Sequence, residues 1–205
     1  MIAIVDYGMG NVRSLLNAFE YLGQDVVITE NAAELEASER IVLPGVGAFG
    51  DAMAAIRERG LDHVLTRQAL VLKKPMLGIC LGMQLFAKRS IEHGNHEGLG
   101  WIDADIQRLQ VVRPLKVPHV GWNELHFPEN DWLFQGIRPA EANFYFVHSF
   151  HMICHNTDDL LATTDYGSPV TAVVRSGNLV ATQFHPEKSQ DNGLKMLKNW
   201  VNWKP

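Results

Sequence analysis

Up to residue 90 the chain alternates short, wholly apolar runs with stretches of helical period, and that alternation constrains the fold more than any other feature. The runs are Ile2-Ala3-Ile4-Val5, Val26-Val27-Ile28, Ile41-Val42-Leu43 and Met76-Leu77-Gly78-Ile79. Each is too short for a helix and lacks alternating polar positions, so as a strand it must be covered on both faces. Between the first two, Val12, Leu15, Leu16, Phe19 and Leu22 recur at helical spacing, which marks one face of a helix. Asn11 stands at its N-cap position and Gly23 at its end. Asn31 with Glu34 reads as a capping-box-like start to a short helix. Residues 49–59 and 61–72 read as helices around a break at Gly60, and Leu81 to Lys88 as another. The pattern predicts an α/β fold whose central, mostly parallel sheet carries helices on both faces.

The second half has a different grammar. Residues 101–127 hold short strand-like pieces separated by Pro114, Pro118 and Gly121. Residues 144–150 are β-rich, and Val170–Arg175 and Leu179–Phe184 flank Ser176-Gly177-Asn178, a hairpin signal. Leu194, Leu197, Trp200 and Val201 have helix spacing. This half reads as a mixed or antiparallel extension. No repeat or linker divides the chain, so residues 1–205 read as a single domain.

With 205 residues, 46% of them hydrophobic, the chain can bury a core without staples. Eighteen Lys and Arg against 23 Asp and Glu give a net charge of −5, which argues against a nucleic-acid surface. No apolar run approaches the ~20 residues that span a bilayer. The N-terminus lacks a basic region and meets an acid at Asp6, unlike a signal peptide. Two cysteines, Cys80 and Cys154, do not make a disulfide framework and suit a reducing cytosol. The expectation is a cytoplasmic protein without nucleic-acid or membrane partners.

The sharpest local feature is Gly78-Ile79-Cys80-Leu81-Gly82, where an apolar strand gives way to a helix. It is the nucleophile-elbow pattern with sulfur in place of oxygen. A tight strand-to-helix turn would present the thiol at the carboxyl end of the sheet, beside a helix N-terminus that favours the thiolate. The Leu81 N–H would face a developing oxyanion. The plainer alternative is a buried core cysteine. A thiol nucleophile needs a base, and Gln183-Phe184-His185-Pro186-Glu187 offers one. In extended chain, residues 185 and 187 point the same way, so Glu187 would orient His185, completing a Cys-His-Glu triad. Pro44-Gly45-Val46-Gly47 should lie at the same sheet edge, where its backbone N–H groups could complete the oxyanion hole. His148, His151, Cys154 and His155 superficially suggest metal ligands. On one strand, however, 148 and 154 would oppose 151 and 155, so no metal site is expected. His93 and His96, in a polar loop, read as solvent-exposed.

These motifs resemble the class I (triad) glutamine amidotransferases and, within them, the family of glutaminase subunits of imidazole glycerol phosphate synthases. The resemblance runs nearly end to end. The cysteine elbow and His-Pro-Glu carry the class. Asp6-Tyr7-Gly8-Met9-Gly10-Asn11, Leu43 to Phe49, Pro118-His119-Val120-Gly121-Trp122-Asn123 and Tyr145-Phe146-Val147-His148-Ser149 carry the narrower likeness.

The resemblance implies the flavodoxin-like fold of that class and a set of roles. Cys80 is the nucleophile, His185 the base and Glu187 its orienter. Val46, Gly47 and Leu81 form the oxyanion hole, on a strand misoriented until the partner's ligand binds. Gly45, Gly47, Gln84, Glu92, His148, Ser149 and Phe150 hold glutamine. Asn11, Trp122 and Lys188 lie near the ammonia exit and the partner face. The implied reaction hydrolyses glutamine to glutamate and ammonia through a γ-glutamyl thioester, without metal or organic cofactor. Ammonia passes to a cyclase subunit, a (β/α)8 barrel, in a heterodimer that makes imidazole glycerol phosphate and aminoimidazole carboxamide ribonucleotide. Phe150-His151 departs from the aromatic pair usual in histidine-pathway members. Gly94 to Gly100 resembles paralogues that feed a surface-sugar synthase. A different acceptor, a stand-alone γ-glutamyl cysteine hydrolase and a non-catalytic subunit on the same fold are the competing readings.

Overall fold

The computed structural model describes residues 1–205. The first half runs β1 (Ile2–Val5), α1 (Val12–Tyr21), β2 (Val26–Thr29), α2 (Ala32–Ala37), β3 (Arg40–Leu43), α3 (Phe49–Glu58), α4 (Leu61–Thr66), β4 (Met76–Ile79) and α5 (Leu81–Leu85). The second runs β5 (Arg89–Ser90), β6 (His96–Glu97), β7 (Ala104–Arg108), β8 (His119–Glu124), β9 (Asn143–His148), β10 (Phe150–Cys154), β11 (Leu160–Asp165), β12 (Pro169–Ser176), β13 (Leu179–Thr182) and α6 (Gln190–Asn202). The main sheet has the order β11-β12-β13-β4-β3-β1-β2. Neighbours from β13 to β2 pair in parallel, while β12 and β11 extend the edge antiparallel.

Apolar alternation within the parallel strands does what a doubly covered sheet requires. Ala3 and Val5 belong to one buried cluster, with Ile41, Leu43 and helices α3 to α5; Ile2 and Ile4 belong to the other, with Val42, α1 and α6. Phe19 and Trp200 are both wholly buried, with ring centroids 6.1 Å apart, joining α1 to α6. No helix is long and apolar enough to cross a membrane.

Strand order is what places the chemistry. β4 lies between β3 and β13, so the segments leaving three adjacent parallel strands emerge together at the sheet's carboxyl end. These are Pro44–Gly47, Cys80 and His185. A separate antiparallel ribbon, β8 with β9, pairs His119 with His148 and Val120 with Val147.

Several local expectations change. Asn11 does not cap α1; its Oδ1 accepts from the Ser14 hydroxyl instead. Asn31 does cap α2, accepting from the Ala33 and Glu34 N–H groups. α4 continues through a wider π turn, Arg67–Val71. The helix after the elbow ends at Leu85, short of Lys88, because Gly98 to Ile102 folds back on it, with N–H groups donating to the Leu85, Phe86, Ala87 and Lys88 carbonyls. His96 is half-buried, not exposed, since His96–Glu97 pairs with β5 and its ring lies against Gly50. The run from His148 to His155 is not one strand: the ladder breaks at Ser149. His148 bonds His119, and His155 bonds Asp103. The parity argument assumed a continuous strand that does not exist.

Candidate active site

Cys80 sits at the junction of β4 and α5 with φ +55 and ψ −110, a conformation that costs a non-glycine residue roughly 1–3 kcal/mol. The surroundings hold it there. Its N–H donates to the Thr182 carbonyl at 2.7 Å, and its Sγ lies 3.8 Å from the Val147 carbonyl. Gly82 explains the tightness of the turn. A Cβ at that position would lie 1.8 Å from the Leu43 carbonyl oxygen, so only glycine lets α5 start against the end of β3.

His185 follows β13 and is 2% exposed. Its Nδ1 lies 2.9 Å from Glu187 Oε1, and the two side chains are 2% and 1% exposed. The pairing was expected from extended chain, but the connection is a 3-10 turn, Pro186–Lys188. That turn is pinned from three sides. The His185 N–H donates to the Tyr145 carbonyl at 3.0 Å. The Ser189 hydroxyl donates to the His185 carbonyl at 2.6 Å and accepts from the Tyr145 N–H at 3.0 Å. Gly193 of α6 leaves room for the Pro186 carbonyl, which a Cβ would meet at 1.8 Å. Burial pushes the His185 pKa down, but Cys80 on one side and Glu187 on the other push it up further, to about 9. His185 Nε2 has no hydrogen-bond partner in the protein, and the ring lines the cavity beside Cys80.

That cavity holds about 340 Å³, within the size range of small-molecule sites. Val46, Gly47, Cys80, Leu81, Gln84, Glu92, Pro118, Val147, His148, Ser149, Phe150 and His185 line it. The structure thus gathers the expected hole and glutamine-holding residues around one space, with one exception. Gly45 lies behind the wall, facing the Tyr7 hydroxyl and Leu81. Asn11, Trp122 and Lys188 do not line the cavity. Trp122 is 48% exposed on the ribbon, edge-on to Tyr145, and Lys188 is exposed on the 3-10 turn.

The polar groups of the wall have definite vacancies. Gln84 Nε2 donates to both the Phe150 carbonyl and Gln183 Oε1, each at 3.0 Å. Its donor hydrogens are spent, leaving Oε1 as an acceptor. Glu92 Oε2 accepts from the Phe49 N–H at 2.8 Å, at the start of α3. Gln84 and Glu92 thus each bring acceptor oxygens to the lining of the cavity. The Val46 N–H donates to the Met9 carbonyl at 3.2 Å, so it is engaged within the protein.

Four buried groups escaped the sequence reading. Tyr7 donates its hydroxyl to the Pro44 carbonyl at 2.9 Å; burial and then Cys80 push its pKa up. Gln183 Nε2 lies 3.9 Å from Cys80 Sγ; its separation by two from His185 was the available signal. Ser189 joins the His185 carbonyl nearby to the distant Tyr145 N–H, and His119 joins Asn123 of its own strand to His148 across the ribbon, so half of each pairing is not local in the sequence. No group of three His, Cys, Asp or Glu side chains is arranged to hold a metal ion.

Comparison with known proteins agrees with this geometry. The family model for glutamine amidotransferase class-I matches residues 3–203. Imidazole glycerol phosphate synthase subunit HisH 2 of Nitrobacter winogradskyi is 48% identical over 100% of this chain and 99% of its own. Subunit HisH 1 of Campylobacter jejuni is 46% identical over 98% of this chain and 99% of its own. Among solved structures, PurLQS from Thermotoga maritima superposes with a TM-score of 0.72 at 20% identity, covering 98% of this chain and 97% of the other; that likeness shows the shared fold. Family match, fold and the elbow-centred cavity converge, and the chain belongs to the class I glutamine amidotransferases.

Proposed function

We propose that this chain, as a single domain over residues 1–205, is the glutaminase subunit of an imidazole glycerol phosphate synthase. The observation that carries the reading is the buried His185–Glu187 pair beside the strained Cys80, in a cavity whose lining also includes Gln84 and Glu92. Glutamine's α-ammonium pairs with their acceptor oxygens, and its carboxamide is delivered to the thiol.

The chemistry follows from the proton inventory. With Glu187 on Nδ1, His185 takes the Cys80 proton at Nε2 and stays cationic, its pKa being held near 9. The sulfur attacks the carboxamide carbon. His185 then protonates the departing ammonia, and water, deprotonated by the same nitrogen, hydrolyses the γ-glutamyl thioester to glutamate. The Leu81 N–H, at the first turn of α5, faces the oxyanion. The second donor, from the Val46–Gly47 peptides, requires rotation away from the Met9 carbonyl. That coupling makes turnover depend on a partner that moves the loop.

The partner is a cyclase subunit with a (β/α)8 barrel, which receives ammonia near Asn11, Trp122 and Lys188. The relatives' names, both subunits of imidazole glycerol phosphate synthase, support this acceptor. The numerals in those names and Phe150-His151 favour, as second reading, a paralogous subunit serving another synthase. Glutamate release by the chain alone, and then with the histidine-pathway cyclase and its nucleotide ligand, separates them. A large rise only in the full mixture supports the first reading. No rise, with Cys80 still alkylated by a glutamine-like label, moves the acceptor elsewhere.

A further inference from the structure

The β8–β9 ribbon carries two buried histidines that the reaction above does not use as acid or base. His119 and His148 are 2% and 5% exposed, and His119 Nδ1 lies 3.0 Å from His148 Nε2. His119 stacks on Phe146, at 4.8 Å between centroids, and on Tyr166, at 4.0 Å, which fixes the plane of its ring.

The direction of every bond in this chain is determined. Asn123 Oδ1 accepts from the Glu124 N–H, and Asn123 Nδ2 donates to the Asp165 carbonyl at 2.9 Å. The amide is therefore fixed, and its other N–H faces His119 Nε2 at 3.3 Å. That nitrogen must accept, so His119 carries its proton on Nδ1. His148 Nε2 then accepts, and His148 carries its proton on Nδ1. From there it donates to the Phe150 carbonyl at 2.9 Å, which can only accept. An extra proton on either ring would set donor against donor. Burial agrees, pushing His119 to about 4 and His148 to about 3.

The relay ends on the cavity wall. The Phe150 carbonyl receives His148 Nδ1 and, on its other lone pair, Gln84 Nε2 at 3.0 Å. It is thus held from the ribbon and from α5 where the chain passes from β9 to β10. We propose that His119, oriented by Asn123, is a positioning residue for glutamine binding: its relay through His148 fixes the Phe150 carbonyl and the His148–Phe150 wall that receives the substrate. The inference rests on reading this cavity as the glutamine pocket.

Two substitutions separate positioning from bulk. His119→Asn keeps an N–H donor near the place of Nδ1, whereas His119→Leu keeps the volume and removes the donor. The probe is saturable alkylation of Cys80 by a diazoketone analogue of glutamine, whose half-saturation and limiting rate are read separately. Losing one net hydrogen bond corresponds to about a tenfold rise in half-saturation. His119→Leu is expected to show that rise with the limiting rate within about twofold, and His119→Asn to recover most of it. In the unsubstituted protein, imidazole ¹⁵N spectra at neutral pH should show both rings neutral with the proton on Nδ1, a readout that survives if His119→Leu does not fold. An Nε2–H tautomer at either ring overturns the proposal, as does unchanged half-saturation in His119→Leu or equal impairment in the two variants. Failure of the unsubstituted chain to label at all overturns the glutamine-pocket reading instead.

Discussion

Replacing Glu187 by Gln removes one charge and keeps an oxygen in place to accept from His185 Nδ1. The ring orientation should survive, so the variant isolates what the charge does. Burial alone drives the His185 pKa below its ordinary 6.5; Cys80 and Glu187 together hold it near 9. Without the carboxylate only Cys80 still opposes burial, and the imidazolium loses about 1–2 kcal/mol of support, on the order of one pKa unit at ~1.36 kcal/mol each. That corresponds to roughly a tenfold fall in the equilibrium constant for the imidazolium–thiolate pair. The assay is glutamate release at saturating glutamine, with Cys80 alkylation by a small neutral reagent as an independent reading of nucleophile reactivity. Both should fall by about tenfold, while the far-ultraviolet spectrum is unchanged. The pH dependence of stability has a fixed sign. A raised histidine pKa contributes stability that is fully present below about 6.5 and lost as pH rises through about 9. Glu187→Gln should therefore cost more in thermal melting near pH 6 than above pH 9. An effect on alkylation smaller than about twofold, or a stability cost that grows with pH, refutes the reasoning.

Other parts of the site give separate outcomes. Gly82→Ala would place a methyl 1.8 Å from the Leu43 carbonyl; such overpacking costs about 1–3 kcal/mol or more. Calorimetry should find the melting point lower by several degrees; an unchanged value contradicts the close approach. Tyr7→Phe leaves the buried Pro44 carbonyl without its 2.9 Å donor, a loss of about 1–3 kcal/mol visible in denaturant titration with an unchanged slope. Trp122→Ala should leave folding intact and weaken binding to the cyclase at least about tenfold by titration calorimetry, since half-exposed aromatics dominate interface energies; equal affinity removes Trp122 from the partner face.

What the sequence revealed depended on how local the cause was. The parallel half was legible because each apolar run and helical face is complete within a dozen residues. Cys80 was legible because Gly82 marks a close approach made by a neighbour in the chain. The pairing of His185 with Glu187 was read correctly but from the wrong geometry, since an extended chain and a 3-10 turn both bring residues two apart together. The wall was less legible. At Ser149 the chain leaves β8 as its partner and takes up β7, so the parity of His148 against Cys154 does not carry across. Asn11 fits an N-cap by residue type, yet its side chain is taken by Ser14. In the relay from Asn123 through His119, the step to His148 depends on the β8–β9 register.

The most direct test of the account is to treat the folded chain with a glutamine-like electrophile and map the modified residue by mass spectrometry, with and without excess glutamine. The account predicts a single adduct on Cys80, formed saturably and suppressed by glutamine. Labelling spread over Cys80 and Cys154, or an adduct on Cys80 that glutamine does not suppress, would contradict it.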